Sequence, residues 1–373
     1  MKRKIYQLFL LPLLALSCSK IATQDFNEDY STMNNLSTFE SANCYIVSEA
    51  GKYKFKTVKG NSNESVGSVS SCEVLWESFG TATTPSIGDL IKSVSYKDGY
   101  IGFETSSIFR EGNAVIAAKD ANGTILWSWH IWLTDHPRLH VYNNHAGAMM
   151  DRNLGATSAT PGDVGALGLL YQWGRKDPFL GSSSIRSNTI AKSTITWPSA
   201  VKSDSSNGTK AYATANPTTY ITCNSNNYDW YYTGGSLTDN TRWTTSSSDK
   251  SIYDPCPAGW RVPDGGSKGI WSKAGFGTTT YDSTTRGMSF IISSPFTTWY
   301  PASGYRGADG RGGLCNVGDF GSYWSASPSS YYAFNLFFNF TGDVYPSGNF
   351  IGDVYPSGNI IRASGLSVRC LHE

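Results

Sequence analysis

Tyr253-Asp-Pro-Cys-Pro-Ala-Gly-Trp-Arg-Val-Pro263 puts three prolines, a cysteine and a tryptophan within eleven residues. Proline fixes φ and withholds a backbone donor, so this run predicts a stiff, non-helical segment. Trp260 is a large apolar anchor inside it. The last third of the chain is expected to wrap around this segment.

Downstream, Gly269 to Ala274 reads as a short helix carrying Trp271. Ser289 to Ile292 and Tyr300 to Arg306 read as strands. Gly307 to Gly321 is a glycine-rich loop bearing Asp309, Arg311, Cys315, Asn316 and Asp319. Tyr323 to Ser327 and Tyr332 to Phe340 follow as strands, and Ser364 to Cys370 closes the region. Gly342-Asp-Val-Tyr-Pro-Ser-Gly-Asn349 recurs as Gly352-Asp-Val-Tyr-Pro-Ser-Gly-Asn359, ten residues on. An even insertion keeps side-chain parity in an extended chain, so the extra copy is expected to lengthen a surface hairpin or loop without shifting the closing strand. Pro346 and Pro356 suggest turns.

Upstream, Asp163 to Gly174 carries Val164, Leu167, Leu170, Tyr171 and Trp173, a helical pattern with Asp163 as N-cap. Residues 181–250 are rich in Ser, Thr and Asn. Trp197, Tyr220, Tyr228, Trp230, Tyr231, Tyr232 and Trp243 interrupt them, which argues for ordered loops rather than disorder. Residues 38–135 read as one β-sandwich, with Asp98-Gly99 and Asn122-Gly123 as hairpin turns. Its last strand alternates, so Trp127, Trp129, Ile131 and Leu133 share a face. A packed core is the expected use of that face, and an exposed sugar platform the sharper alternative. Residues 136–148 form a linker, where Pro137 keeps a helix from presenting His136 and His140 together to a metal.

Lys2, Arg3 and Lys4 precede an apolar stretch, Ile5 to Leu16, that is too short to span a bilayer. Ala15-Leu16-Ser17-Cys18 then resembles a bacterial lipobox. Residues 1–17 are therefore read as a lipoprotein signal peptide, Cys18 as the lipidated residue and 18–37 as a flexible tether. Removing 1–17 takes three positive charges, so the formal charge falls from +1 to −2. A near-neutral chain does not suggest nucleic acid as a partner. The membrane is expected to be met only through the lipid. Six further cysteines permit disulfides outside the cytoplasm, and the lack of a Cys-x-x-Cys removes the main support for a zinc ribbon.

Residues 149–373 resemble the major paralogous domain family first named from Fibrobacter succinogenes, common in surface lipoproteins of Bacteroides-like bacteria. The matching residues are Met150-Asp-Arg-Asn-Leu154, Leu170-Tyr-Gln-Trp173, Asp254 to Pro263, Ser303-Gly-Tyr-Arg306, Tyr323-Trp-Ser-Ala-Ser327 and Gly365-Leu-Ser-Val-Arg-Cys370. The resemblance implies a C-type-lectin-like fold and a Cys256–Cys370 disulfide. It does not imply calcium-dependent sugar binding, because Trp324-Ser-Ala stands where a Trp-Asn-Asp motif would. The first domain is similar, more weakly, to fimbrillin-like sandwiches. The fold expected from these readings is two domains: an all-β immunoglobulin-like sandwich (38–135) and an α+β C-type-lectin-like domain with long loops (149–373).

The sequence holds no Gly-x-Ser-x-Gly elbow, Walker loop or His-Glu-x-x-His. Ser247-Ser-Asp-Lys250 lacks the companion motifs of a Ser-x-x-Lys enzyme. No cofactor and no metal are expected. The reading is a non-catalytic surface lipoprotein of the outer membrane, an adhesin or glycan- or protein-binding component associated with fimbriae. A structural fimbrial subunit and an enzyme on a formylglycine-generating-type fold are the alternatives. The ligand residues expected are Arg306, Asp309, Arg311, Asn316, Asp319 and Trp324.

Overall fold

A computed structural model describes residues 29–223, 228–235, 239–277, 279–344 and 350–373. Residues 1–28, with the signal stretch and Cys18, lie outside the described residues. The chain is an all-β, multi-sheet protein with 40% strand and, among the described residues, two short α-helices, Lys210–Ala215 and Ile270–Lys273. This corrects the expected α+β second domain. The Asp163–Gly174 pattern shows why. Asp163 does cap a turn, accepting from the Gly165 N–H, but only a 3-10 turn Val164–Ala166 follows. Gly168 then takes φ +69°, where an added Cβ would meet the Leu154 carbonyl at 2.8 Å. Leu169–Gln172 continues as a strand paired on both sides, with Phe179–Leu180 and Gly365–Ser367. All four of its residues are buried. A strand apolar on both faces has no alternation, so its hydrophobics can be mistaken for a helix stripe.

The N-terminal part packs two four-stranded sheets face to face. One pairs Asn34–Asn35, Lys52–Lys56, Tyr100–Thr105 and Ile91–Lys97. The other pairs Cys44–Val47, Ile125–Leu133, Gly112–Lys119 and Ser71–Ser78. Asn34–Asn35 lies within the stretch read as a tether, yet it adds to the sheet edge and Met33 beside it is buried. Trp127, Trp129, Ile131 and Leu133 enter the core between the sheets, so they are not an exposed platform.

The C-terminal part is built on an eleven-stranded sheet. Its centre runs through Gly365–Ser367, Phe320–Ser329, Tyr332–Val344 and Phe350–Ile361. Leu139–Tyr142 and Gly147–Met150, which take up six residues of the expected linker 136–148, join Trp260–Arg261 and Leu371–His372 in a second sheet. The Tyr253–Pro263 segment lies against it. Asp254 accepts from the N–H groups of Cys256 and Val262, tying the proline-framed loop to itself. Cys256 and Cys370 form a disulfide across 114 residues. Such a bond removes loop entropy worth about 5 kcal/mol from the unfolded chain.

The two parts share a core. Cys44, Trp76, Val115 and Trp132 pack with Met150, Tyr171, Trp173 and Val262. Asn43 donates to the carbonyls of Ile252 and Asp254, Trp132 to that of Ala156, and Asn113 to that of Gly155. Lys176 is buried at this junction and donates to Ser128 and Asp177. Burying these polar groups is tolerated because each is paired.

Candidate ligand-binding site

The glycine-rich stretch after Tyr305 is not one long loop. Tyr305–Arg306 pairs antiparallel with Leu314–Cys315, which makes a hairpin whose tip is 307–313. The tip rests on Tyr220. Gly312 has φ +61°, and an added Cβ would lie 2.3 Å from the Tyr220 ring, so both the backbone and the contact require glycine here. Beyond the hairpin, Asn316 takes φ +54° and its carbonyl accepts from Asp319 and Phe320, forming a tight turn.

Of the six expected ligand residues, two come together. Arg306 and Arg311 line one cleft with Phe179, Trp197, Pro198 and Tyr220. Its volume is about 590 Å³, within the range of small-ligand sites. Arg306 is nearly buried and held rigidly. Nε and Nη2 donate to the Leu180 carbonyl at 3.0 and 2.9 Å, and Nη1 to that of Gly312 at 2.9 Å. Its guanidinium also stands 6.0 Å from the centre of the Tyr220 ring. Burial disfavours its charged form and pulls its pKa below the usual range, and Tyr220 partly offsets that. Among the described residues no carboxylate pairs with Arg306. Arg311 is exposed at the rim. Phe179 packs on Trp197 and edge-on to Tyr220, at 6.0 and 5.1 Å between ring centres.

The other four point elsewhere. Asp309 is exposed at the hairpin tip. Asn316 serves the turn through its backbone. Asp319 pairs with Arg286 at 3.3 Å. Trp324 is fully buried, donates to the Tyr171 carbonyl at 2.7 Å and packs against Trp243, so the expected ligand contact is replaced by a place in the core. Trp197 and Tyr220 stand out in the sequence as aromatics in a polar stretch, but nothing local pairs them with a hairpin so far along the chain.

Among the described residues, no group of three or more His, Cys, Asp or Glu is placed to hold a metal ion. No described helix is long and apolar enough to cross a membrane, which says nothing of β-barrels. No family model, no curated protein and no solved structure matches the chain.

Proposed function

We propose that this chain is a non-catalytic surface lipoprotein, anchored through Cys18 to the outer membrane, that binds an acidic group on a glycan or protein partner as an adhesin, in association with fimbriae. One observation carries the ligand reading: a rigid, carboxylate-free guanidinium, Arg306, borders an aromatic-lined cleft with a second arginine at its rim. A buried cation without a counter-charge is costly, and a bound anion would offset that cost. Planar guanidinium donors match a carboxylate, and the Trp197 side offers an apolar wall for the rest of the ligand. The surface address rests on the N-terminal pattern and on the family resemblance of residues 149–373.

An array of carboxylated and sulfated glycans and acidic proteins tests this. Binding should weaken at least tenfold in Arg311→Glu, which changes an exposed residue and leaves the fold intact, and should fall with rising salt. Binding that Arg311→Glu and Trp197→Ala leave unchanged overturns the assignment of this cleft.

A further inference from the structure

The central strands of the large sheet carry a second groove, of about 460 Å³. It is formed by Phe320–Ser329, Tyr332–Val344 and Phe350–Ile361, with Tyr305 at one side. Cross-strand register puts Phe320, Ser322 and Trp324 opposite Asn339, Phe337 and Asn335. The next strand sets Asp353, Tyr355 and Gly358 opposite the same three residues. Side chains alternate along a strand, so all nine positions belong to one face. The other face sends Tyr323, Leu336 and Phe338 into the core. Trp324, at one end of the groove face, is covered by Trp173 and Trp243. Phe320, Phe337 and Asn339 are partly exposed beyond it.

Two features of this groove are not those of a covered sheet. Four rings follow one another along it. Tyr305 and Phe320 are stacked 6.5 Å apart, Phe320 meets Phe337 edge-on at 5.3 Å, and Phe337 stacks with Tyr355 at 5.9 Å. Tyr355 is half exposed. Between the rings lie three buried polar atoms without a hydrogen-bond partner: Ser322 Oγ, Asn335 Oδ1 and Asn339 Oδ1. Ser322 and Asn335 are 0% and 2% exposed. Leaving such an atom unpaired costs about 1–3 kcal/mol. Gly358 keeps the approach open, because a Cβ there would sit 2.9 Å from Asn335 Oδ1.

We propose that this groove binds a neutral saccharide. The amide oxygens need donors, which sugar hydroxyls supply, and the ring faces suit the C–H faces of pyranoses. The groove lining contains no lysine or arginine. Asp353 stands opposite Asn339 on the same face, so an acidic sugar would meet acceptors and a carboxylate. This is the reverse of the Arg306 cleft, and the two readings stand or fall on separate residues.

Screening the whole protein against an array of neutral and uronate-bearing oligosaccharides, followed by calorimetric titration, tests the proposal. At least one neutral glycan should bind. Tyr355→Ala should weaken it tenfold or more, while Arg311→Glu leaves it unchanged. Asn339→Leu should abolish binding yet raise the Tm of the ligand-free protein, since it removes an unpaired polar group. A merely structural asparagine would lower Tm instead. Binding of acidic glycans only, no neutral glycan bound, or binding indifferent to Tyr355 each overturns the proposal. So does a dimer or peptide complex that Tyr355→Ala disrupts, since the face would then be a protein interface.

Discussion

Two buried residues set opposing demands on pH. Burial pushes the Asp254 carboxyl up to about 6 from its ordinary 3.8. Between those values the folded protein holds a proton that the unfolded chain has released, so the Asp254 contribution is full below pH 3.8 and lost as pH rises through 6. His130 is buried with Nε2 bound to Asn113 Oδ1, and burial pulls its pKa down to about 3 from 6.5. There the unfolded chain takes the proton first, so its contribution is full above pH 6.5 and lost as pH falls toward 3. Between pH 4 and 6 the two slopes oppose each other. Asp254→Asn leaves the histidine slope alone, and stability relative to wild type should then fall by about 1.4 kcal/mol per unit on acidification across that window. Thermal denaturation at pH 4, 5 and 6 measures this, and a difference from wild type that does not change with pH refutes it. Neither shift was legible in the sequence. Asp254 is visible as part of the proline-framed segment, but its burial depends on packing against residues far away in the chain.

The tandem repeat belongs to the scale of single strands. The second copy lies within Phe350–Ile361, and much of the first copy lies outside the described residues. Pro356 does not make a turn. The register shifts between Asn335↔Gly358 and Phe337↔Tyr355, so Pro356 and Ser357 together face Leu336. This bulge gives a proline a place inside a sheet, where its missing N–H is not called upon. Deleting 342–351 would join Thr341 to Gly352 and leave Asn339↔Asp353 closing a three-residue loop that contains glycine, a common hairpin connection. The paired positions of Phe350 and Ile351 with Tyr281 and Thr280 would be lost. Two cross-strand pairs of this kind amount to roughly 1–2 kcal/mol. The deletion variant should therefore fold, with a modest drop in Tm on calorimetry and the Tyr355 groove intact; failure to fold refutes the assigned register. The hairpins at Asp98-Gly99 and Asn122-Gly123 were legible because turn chemistry is local, with Asp98 and Gly99 both at positive φ. The Leu169–Gln172 strand was not, because burial on both faces erases the alternation that identifies a strand.

At the scale of the whole molecule, the reading of two bodies joined by a linker meets a shared core. Trp76 and Trp132 from one side pack with Trp173 and Val262 from the other. The buried Lys176–Asp177 pair bonds Ser128 across the junction. Separating the halves would break these bonds and expose the shared apolar surface to water. Residues 29–373 should therefore unfold in a single calorimetric transition, with van't Hoff and calorimetric enthalpies in agreement. Two resolved transitions would show the junction to be weak. A sequence pattern identifies faces and turns but not which distant face meets which, so this union could not be read from it. The clasp at Cys370 has a consequence for synthesis on the ribosome. Leu371 pairs with both Met149 and Arg261, and Cys370 with Cys256, so the second sheet lacks the strand that joins Trp260–Arg261 to Gly147–Met150 until that part of the chain has emerged. Non-local pairing of this kind is slow to form. The anchor segment must therefore wait, made but unclosed, while more than a hundred further residues are translated. Its three prolines limit the conformations it can explore during that delay.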